Sequence, residues 1–206
     1  MNERMINMFS AKGESLVRNR TAANKKILRG RCKEIREGLT EDYLTEGSRL
    51  IAEQVLASEE YRSAETVFVY RSMREEPATD ALIAQALADG KTVCVPLCLP
   101  ETRMDAKRIA QDSEWRSGPF GILEPLPEAE TVPPEEIDLA IVPCVACDAR
   151  GNRLGHGAGY YDRYLTGTRC FKMALCFDRL ILGNIQTDRE DVRMDAVITE
   201  TQIYRR

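Results

Sequence analysis

Three glycines alternate at Gly155, Gly157 and Gly159, directly before a stretch, Tyr160 to Leu165, whose apolar positions fall at helical spacing. With no side chain at these positions, backbone amides can come close to a ligand that any Cβ would push away. A helix opening at Tyr160 would direct its unpaired N–H groups and positive dipole end back at the glycines, which suits an anion. Arg153 stands two residues before the first glycine and could add a charge-assisted contact. Lys25 and Arg29 lie four apart, which puts both on one side of a helix. Each feature also has a plainer meaning. Gly-x-Gly-x-Gly alone fits a flexible turn, being neither the dinucleotide fingerprint nor the Walker A loop. The Lys25 and Arg29 pair alone fits a solvated basic face.

The elements that must position these residues follow from the apolar pattern. Leu139 to Val142 form a continuous apolar run stopped by Pro143, which predicts a strand covered on both faces. Thr66 to Tyr70, Thr92 to Pro96, Phe171 to Cys176 and Ala196 to Thr199 read as further strands, the last ending the fold. Helices are expected from Lys25 to Arg36 with Asn24 as N-cap, over the residues after Thr40, and between a Thr79 cap and Gly90. On the first of these, Ile27, Leu28, Cys32 and Ile35 mark the apolar face. Alternating strands and helices predict an α/β fold, an open and mostly parallel sheet with helices on both faces. The loop Arg71 to Thr79 leaves the carboxyl end of a strand, where such sheets bind ligands.

Length and composition narrow the classes. At 206 residues the chain suits one well-buried core. We read residues 24–206 as a single domain and residues 1–23, with scattered apolar positions such as Ile6, Met8, Phe9, Leu16 and Val17, as an extension that is either helical or a tail. No apolar run approaches the ~20 residues of a membrane-spanning helix. A net charge of -4 argues against a large nucleic-acid surface. Seven cysteines, an odd count, and an N-terminus that carries Glu3, Lys12 and Glu14 instead of a compact apolar core predict a reducing, cytoplasmic setting. Cys144 and Cys147 make one Cys-x-x-Cys, but no second pair follows and His156 is the only histidine. The sequence therefore predicts no zinc or disulfide structure, with most cysteines acting as small buried residues. Trp115, the sole tryptophan, reads as a packing residue.

The string Arg153-Leu-Gly-His-Gly-Ala-Gly-Tyr-Tyr-Asp-Arg163, following Val-Pro-Cys-Val-Ala-Cys-Asp, closely resembles the signature of the 5-formyltetrahydrofolate cyclo-ligase family, also called 5,10-methenyltetrahydrofolate synthetases. Lys25-x-x-x-Arg29 resembles the family's opening helix, Glu76-x-x-Thr79 its folate-site loop, and Phe120-Gly-Ile-Leu-Glu-Pro125 its Gly-Ile-x-Glu-Pro turn; Met104 and Ile109 match a weaker element. The resemblance implies a three-layer, Rossmann-like architecture and the conversion of 5-formyltetrahydrofolate and ATP to 5,10-methenyltetrahydrofolate, ADP and phosphate. It implies that Lys25, Arg29, Arg153, Gly155, His156, Gly157, Ala158, Gly159 and Tyr161 face ATP, that Glu76 and Tyr160 face the folate, and that Asp162 and Asp191 hold Mg2+. Arg153, Tyr160 and Asp162 are then the catalytic candidates. Small-molecule substrates are expected, with no nucleic acid or membrane partner, for a monomer or weak dimer.

Physically, a formyl oxygen is a poor leaving group, so the site must align a γ-phosphate with it, neutralise several negative charges and keep water out. Mg2+ suits the aspartates because it takes one or two carboxylates and completes its shell with phosphate and water oxygens. Taken alone, Asp162 could merely solvate a helix start, and Asp191 could be one acid on an exposed, acid-rich turn. The chain departs from the family at Cys144 and Cys147, where glycine and phenylalanine are usual, and at Glu190, where a histidine is frequent. Two other readings stay open: a non-catalytic folate- or nucleotide-binding relative, and a phosphosugar isomerase-like enzyme on a related sheet.

Overall fold

In a computed structural model, the structure describes residues 3–118 and 121–206, with side chains from Arg20 onward. Phe120 of the turn motif, and the side chains of Ile6, Met8, Phe9, Leu16 and Val17, lie outside the described residues.

The scaffold is an eight-stranded mixed sheet in an α/β fold, with helices on both faces. Its centre is five parallel strands: β1 (Thr66–Val69), β2 (Thr92–Cys98), β7 (Leu139–Val142), β10 (Phe171–Leu175) and β12 (Ala196–Ile198), in the order β12-β10-β7-β1-β2. The middle of this order is the most apolar, and all four residues of β7 are buried, as expected of a strand with helices above and below. Asp138 clips the entry of β7 to that of β1: its Oδ2 accepts from the Glu65 and Thr66 amides, both at 2.9 Å. Antiparallel strands close the edges, β3 (Met104–Ile109) and β6 (Thr131–Val132) beyond β2, and β13 (Ile203–Arg205) beyond β12. Two small sheets lie apart, one pairing β4 (Trp115–Ser117) with β5 (Leu123–Pro125), the other joining β8 (Ala146–Asp148), β9 (Arg153–Leu154) and β11 (Ile181–Leu182).

Helices α2 (Glu41–Ala57), α3 (Glu59–Ser63), α4 (Asp80–Ala88) and α5 (Tyr160–Leu165) supply the covering layers. Thr40 caps α2 as the sequence predicts, accepting from the Tyr43 amide at 3.2 Å. Because side chains alternate across a strand, Phe68 faces α5, with its ring centroid 5.2 Å from that of Tyr164. Val67 and Val69 turn to the opposite face.

Four expectations need correction. Asn24 caps nothing, because α1 runs unbroken over Glu3–Glu37; no glycine-proline break or turn signal interrupts it near Asn24. Only half of the expected apolar face of α1 packs, Leu28 and Cys32, and two cations are buried with it. Thr21, Lys25, Cys32 and Arg36 are buried, while Ile27 is 56% and Ile35 36% exposed. Thr79 occupies the N-cap position of α4 without capping it: its hydroxyl donates to the Tyr70 carbonyl at 2.7 Å and ties the loop back to β1. Finally, the fold does not end at Thr199, since β13 adds an antiparallel edge.

Candidate active site

The glycine loop is aimed by a buried carboxylate. Asp148 is fully buried at the end of β8 and accepts from the amides of Arg150 (2.9 Å), Asn152 (3.0 Å) and Ile185 (3.0 Å) and from Asn152 Nδ2 at 2.8 Å. Four donors on one carboxylate fix the tight reversal between β8 and β9. Gly151 turns it at φ +84, where a Cβ would sit 2.4 Å from the Met194 carbonyl oxygen. The chain then passes Arg153 and enters the loop.

At each alternating glycine a guanidinium fills the room a side chain would take. A Cβ on Gly155 would lie 2.7 Å from Arg153 Nη1, on Gly157 3.4 Å from Arg29 Cζ, and on Gly159 2.8 Å from Arg163 Nη1. Gly157 and Gly159 also have φ of +111 and +74, conformations that favour glycine. The loop is thus a concave turn backed by three arginines, with Gly159 in the N-cap position of α5. Such a surface attracts anions.

Carboxylates hold these cations in register. Arg153 is buried; its Nη2 donates to Asp162 Oδ2 at 2.9 Å and its Nη1 to the Pro143 carbonyl at 3.3 Å. The second oxygen of Asp162 accepts from the Val192 amide at 3.1 Å, so Asp162 joins α5 to the segment carrying Asp191. Asp191 accepts from Lys25 Nζ, 2.7 Å away at Oδ1, and from the Asp188 amide at 2.7 Å. Lys25 also reaches Asp188 Oδ2 at 3.2 Å. Arg29 Nε donates to the Gly155 carbonyl at 2.7 Å. Burial pulls the Arg29 guanidinium below its ordinary range; Asp191 opposes that shift and Arg153 adds to it.

These groups open into a cleft of about 830 Å³, which also takes in Tyr70, Glu76, Glu124, Tyr160 and Tyr161. Pockets of that size accommodate organic ligands. Glu76 is buried on the wall facing the glycine loop, with Oε2 accepting from the Met73 amide at 3.0 Å and Oε1 3.2 Å from His156 Nε2. His156 therefore spans from the loop to the acidic wall. Glu75, its neighbour, is half-exposed beside Arg36, which separates two adjacent acids that spacing alone could not.

Every site position named from the sequence lines this one cleft: Lys25, Arg29, Glu76, Arg153, the run Gly155 to Gly159, Tyr160, Tyr161, Asp162 and Asp191. Sequence reasoning missed Asp188, Arg163, Arg71 and Glu124, which line it too. Arg163 closes the quoted motif and Glu124 belongs to the Gly-Ile-x-Glu-Pro turn, so signals for both were present. Glu124 is buried and accepts from the Cys98 amide at 3.1 Å. Trp115 packs against the core with the Arg71 guanidinium 4.9 Å from its ring centre. The cysteines are small and mostly buried, as the sequence predicts, six of the seven being buried. All seven are free thiols, but Cys176 joins Cys144 and Cys147 in a buried group whose sulfurs lie within 4.8 Å of one another.

As a Mg2+ site the acids fit in kind: two carboxylates, Asp162 and Asp191, line the cleft beside the cationic loop, and each is paired with a cation, Asp162 with Arg153 and Asp191 with Lys25. Among the described residues, no acidic group of three converges to make a closed cage.

Comparison with known proteins gives one consistent result. Residues 21–200 match the sequence profile of the 5-formyltetrahydrofolate cyclo-ligase family. A "Probable 5-formyltetrahydrofolate cyclo-ligase" of Schizosaccharomyces pombe is 33% identical over 172 residues, covering 75% of this chain and 84% of the relative. The Mus musculus 5-formyltetrahydrofolate cyclo-ligase is 29% identical over 191 residues, covering 85% and 93%. The solved structure of Aquifex aeolicus 5,10-methenyltetrahydrofolate synthetase superposes with a TM-score of 0.79 at 28% identity, over 88% of this chain and 92% of that one.

Proposed function

The chain belongs to the 5-formyltetrahydrofolate cyclo-ligase family, and from that footing we propose that its cleft phosphorylates the formyl oxygen of 5-formyltetrahydrofolate with ATP and then closes the methenyl ring. The bond from the γ-phosphorus to the ADP oxygen breaks as the bond to the formyl oxygen forms. N10 then attacks the activated carbon and gives up its proton, and the carbon–oxygen bond breaks to release phosphate, which carries away the former formyl oxygen. A poor leaving group has become a good one.

The observation that carries this reading is the glycine loop backed by Arg29, Arg153 and Arg163, facing a buried Glu76 across one cleft. The arginine-backed side suits a polyphosphate, with Lys25, Arg29, Arg153 and the amides of Gly155, His156, Gly157, Ala158 and Gly159 as contacts and Tyr161 beneath them. On the opposite side, Glu76 and Tyr160 suit the hydrogen-bonding heterocycle of the folate. Lys25, held by Asp191 and Asp188, would exchange that pair for phosphate oxygens. Asp162 and Asp191 are the carboxylates that would hold Mg2+, which neutralises charge on a phosphoryl group in transfer. Arg153, fixed by Asp162 and the Pro143 carbonyl, would meet the charge developing during transfer without having to reorganise. No described helix is long and apolar enough to cross a membrane, in keeping with small soluble substrates, and the same reading has the chain working in the cytoplasm as a monomer or weak dimer.

Incubation of the purified chain with 5-formyltetrahydrofolate, ATP and Mg2+ is expected to produce the methenyl chromophore in proportion to ATP consumed. A folded chain that binds ATP and forms no methenyl product would instead be a binding relative without turnover.

A further inference from the structure

Beneath the cleft, three chain segments bring their cysteines to one point. Cys144 follows Pro143 just past the carboxyl end of β7, Cys176 follows the carboxyl end of the adjacent parallel strand β10, and Cys147 lies within β8. All three are buried, at 0–2% exposure, and their sulfurs lie within 4.8 Å of one another. The Cys144 thiol donates to the Leu175 carbonyl at 3.1 Å, which places it directly against β10, and the Cys176 thiol donates to the Phe177 carbonyl at 3.5 Å; metal binding replaces both. Three thiolates around an ion at a metal–sulfur distance of about 2.3 Å would sit about 4 Å apart. Closing the group on an ion therefore shortens its widest sulfur–sulfur separation by less than about 1 Å.

The charges nearby are of the sign such a site requires. Arg36 Nη2 donates to the Cys144 carbonyl at 2.6 Å, and Arg153 Nη1 donates to the carbonyl of Pro143, one residue before. Both arginines are buried, and each has an Nε–H with no hydrogen-bond acceptor among the described residues. Three thiolates and a divalent cation leave one net negative charge beside these two guanidiniums, whereas a monovalent cation would leave two. No fourth cysteine, histidine or carboxylate belongs to the group among the described residues, so the coordination the side chains offer is three thiolates, a set selective for soft cations.

We propose that Cys144, Cys147 and Cys176 form a buried site for a thiophilic divalent d10 cation of the Zn2+ and Cd2+ class, bracing the stretch from Pro143 to Cys147 to which Arg36 and Arg153 donate. Binding is M2+ + 3 RSH → [M(SR)3]− + 3 H+: three S–H bonds break, three metal–sulfur bonds form, and no oxidant or reductant takes part. Because the sulfurs are out of reach of solvent, the ion enters while the chain folds. The site stands apart from the cleft's chemistry and does not depend on which reaction the cleft performs.

The test is metal content. Full-length protein produced in zinc-supplemented medium, and separately with cadmium, is expected to retain about one ion per chain after gel filtration with a chelator in the buffer, because the three sulfurs are buried away from the competing ligand. Cys176→Ser and Cys147→Ser, nearly isosteric changes, should each retain at least tenfold less, while Cys170→Ser, outside the group, keeps the full complement. In the cadmium protein the metal's NMR resonance should fall in the thiolate region. A folded wild-type chain without metal overturns the proposal, as does metal that survives Cys176→Ser. Recovery of a Cys144–Cys147 disulfide in place of metal overturns it as well.

Discussion

Lys25 Nζ lies 2.7 Å from Asp191 Oδ1, joining α1 to a loop 166 residues further along the chain. Both side chains are largely buried, and the lysine occupies the part of the helix that a sequence pattern assigns to solvent. A buried pair of this kind contributes little net stability, because desolvation offsets the attraction. Its value here is position. It holds a cation beside the arginine-backed loop, where the proposed function needs one for phosphate.

Lys25→Ala and Arg29→Ala should therefore each weaken ATP binding far more than folate binding. Loss of a charge-assisted phosphate contact costs on the order of 1.5–3 kcal/mol, or roughly 10- to 150-fold in Kd. Calorimetric titration of each variant with ATP and with 5-formyltetrahydrofolate measures both. Unchanged ATP affinity in the two variants would return them to a structural role.

Asp162→Asn tests the carboxylate on which loop, helix and metal roles meet. An asparagine oxygen can still accept from the Val192 amide, but its amide faces Arg153. Stability should fall by on the order of 1.5–3 kcal/mol, the worth of a hydrogen bond to a charged group. Turnover of the folded variant should fall by at least about 100-fold, because charge on the transferring phosphoryl group is then poorly neutralised. Near-normal turnover in a well-folded variant would leave Asp162 as a residue that positions Arg153.

The sequence exposes the interior of this fold better than its edges, for physical reasons visible in single elements. β7 is an apolar run throughout, β1 is one after Thr66 and β10 one after Lys172, because both faces are covered there. β3 carries Asp105, Lys107 and Arg108 between its apolar residues, and β13 has Ile203 and Arg205 exposed at a sheet edge, so neither has that signal. The α1 face is legible only in part, at Leu28 and Cys32, because hydrophobicity ranks Ile27 above Lys25. Lys25 is nevertheless the buried one, since its partners Asp188 and Asp191 arrive from the far end of the chain. Site positions were legible where they share one short string, Arg153 to Asp162. Asp188 and the third cysteine of the buried group were not, because only the sheet brings Cys176 to Cys144.

Thiol reactivity should track burial. Burial, with Glu124 beside it, pushes the Cys98 thiol up to about 11, and burial pushes Cys94 up to about 12. A raised folded-state value favours the neutral thiol in the native chain. Its contribution to stability is present in full below the unfolded thiol value of about 8.5 and is lost as pH rises through about 11. Iodoacetamide at pH 8 should leave Cys98 unmodified in the native chain and alkylate it readily in denaturant. Cys98→Ala should lessen the loss of stability measured between pH 9 and about 11. Rapid native alkylation of Cys98 at pH 8 would contradict this.

The most direct measurement follows one oxygen atom. With 5-formyltetrahydrofolate labelled with heavy oxygen in the formyl group, a single turnover with ATP and Mg2+ should deliver the label to inorganic phosphate, one atom per methenyl product formed, with none in ADP. Methenyl product formed with unlabelled phosphate, the label appearing in water, would contradict phosphorylation of the formyl oxygen and with it the proposed chemistry of the cleft.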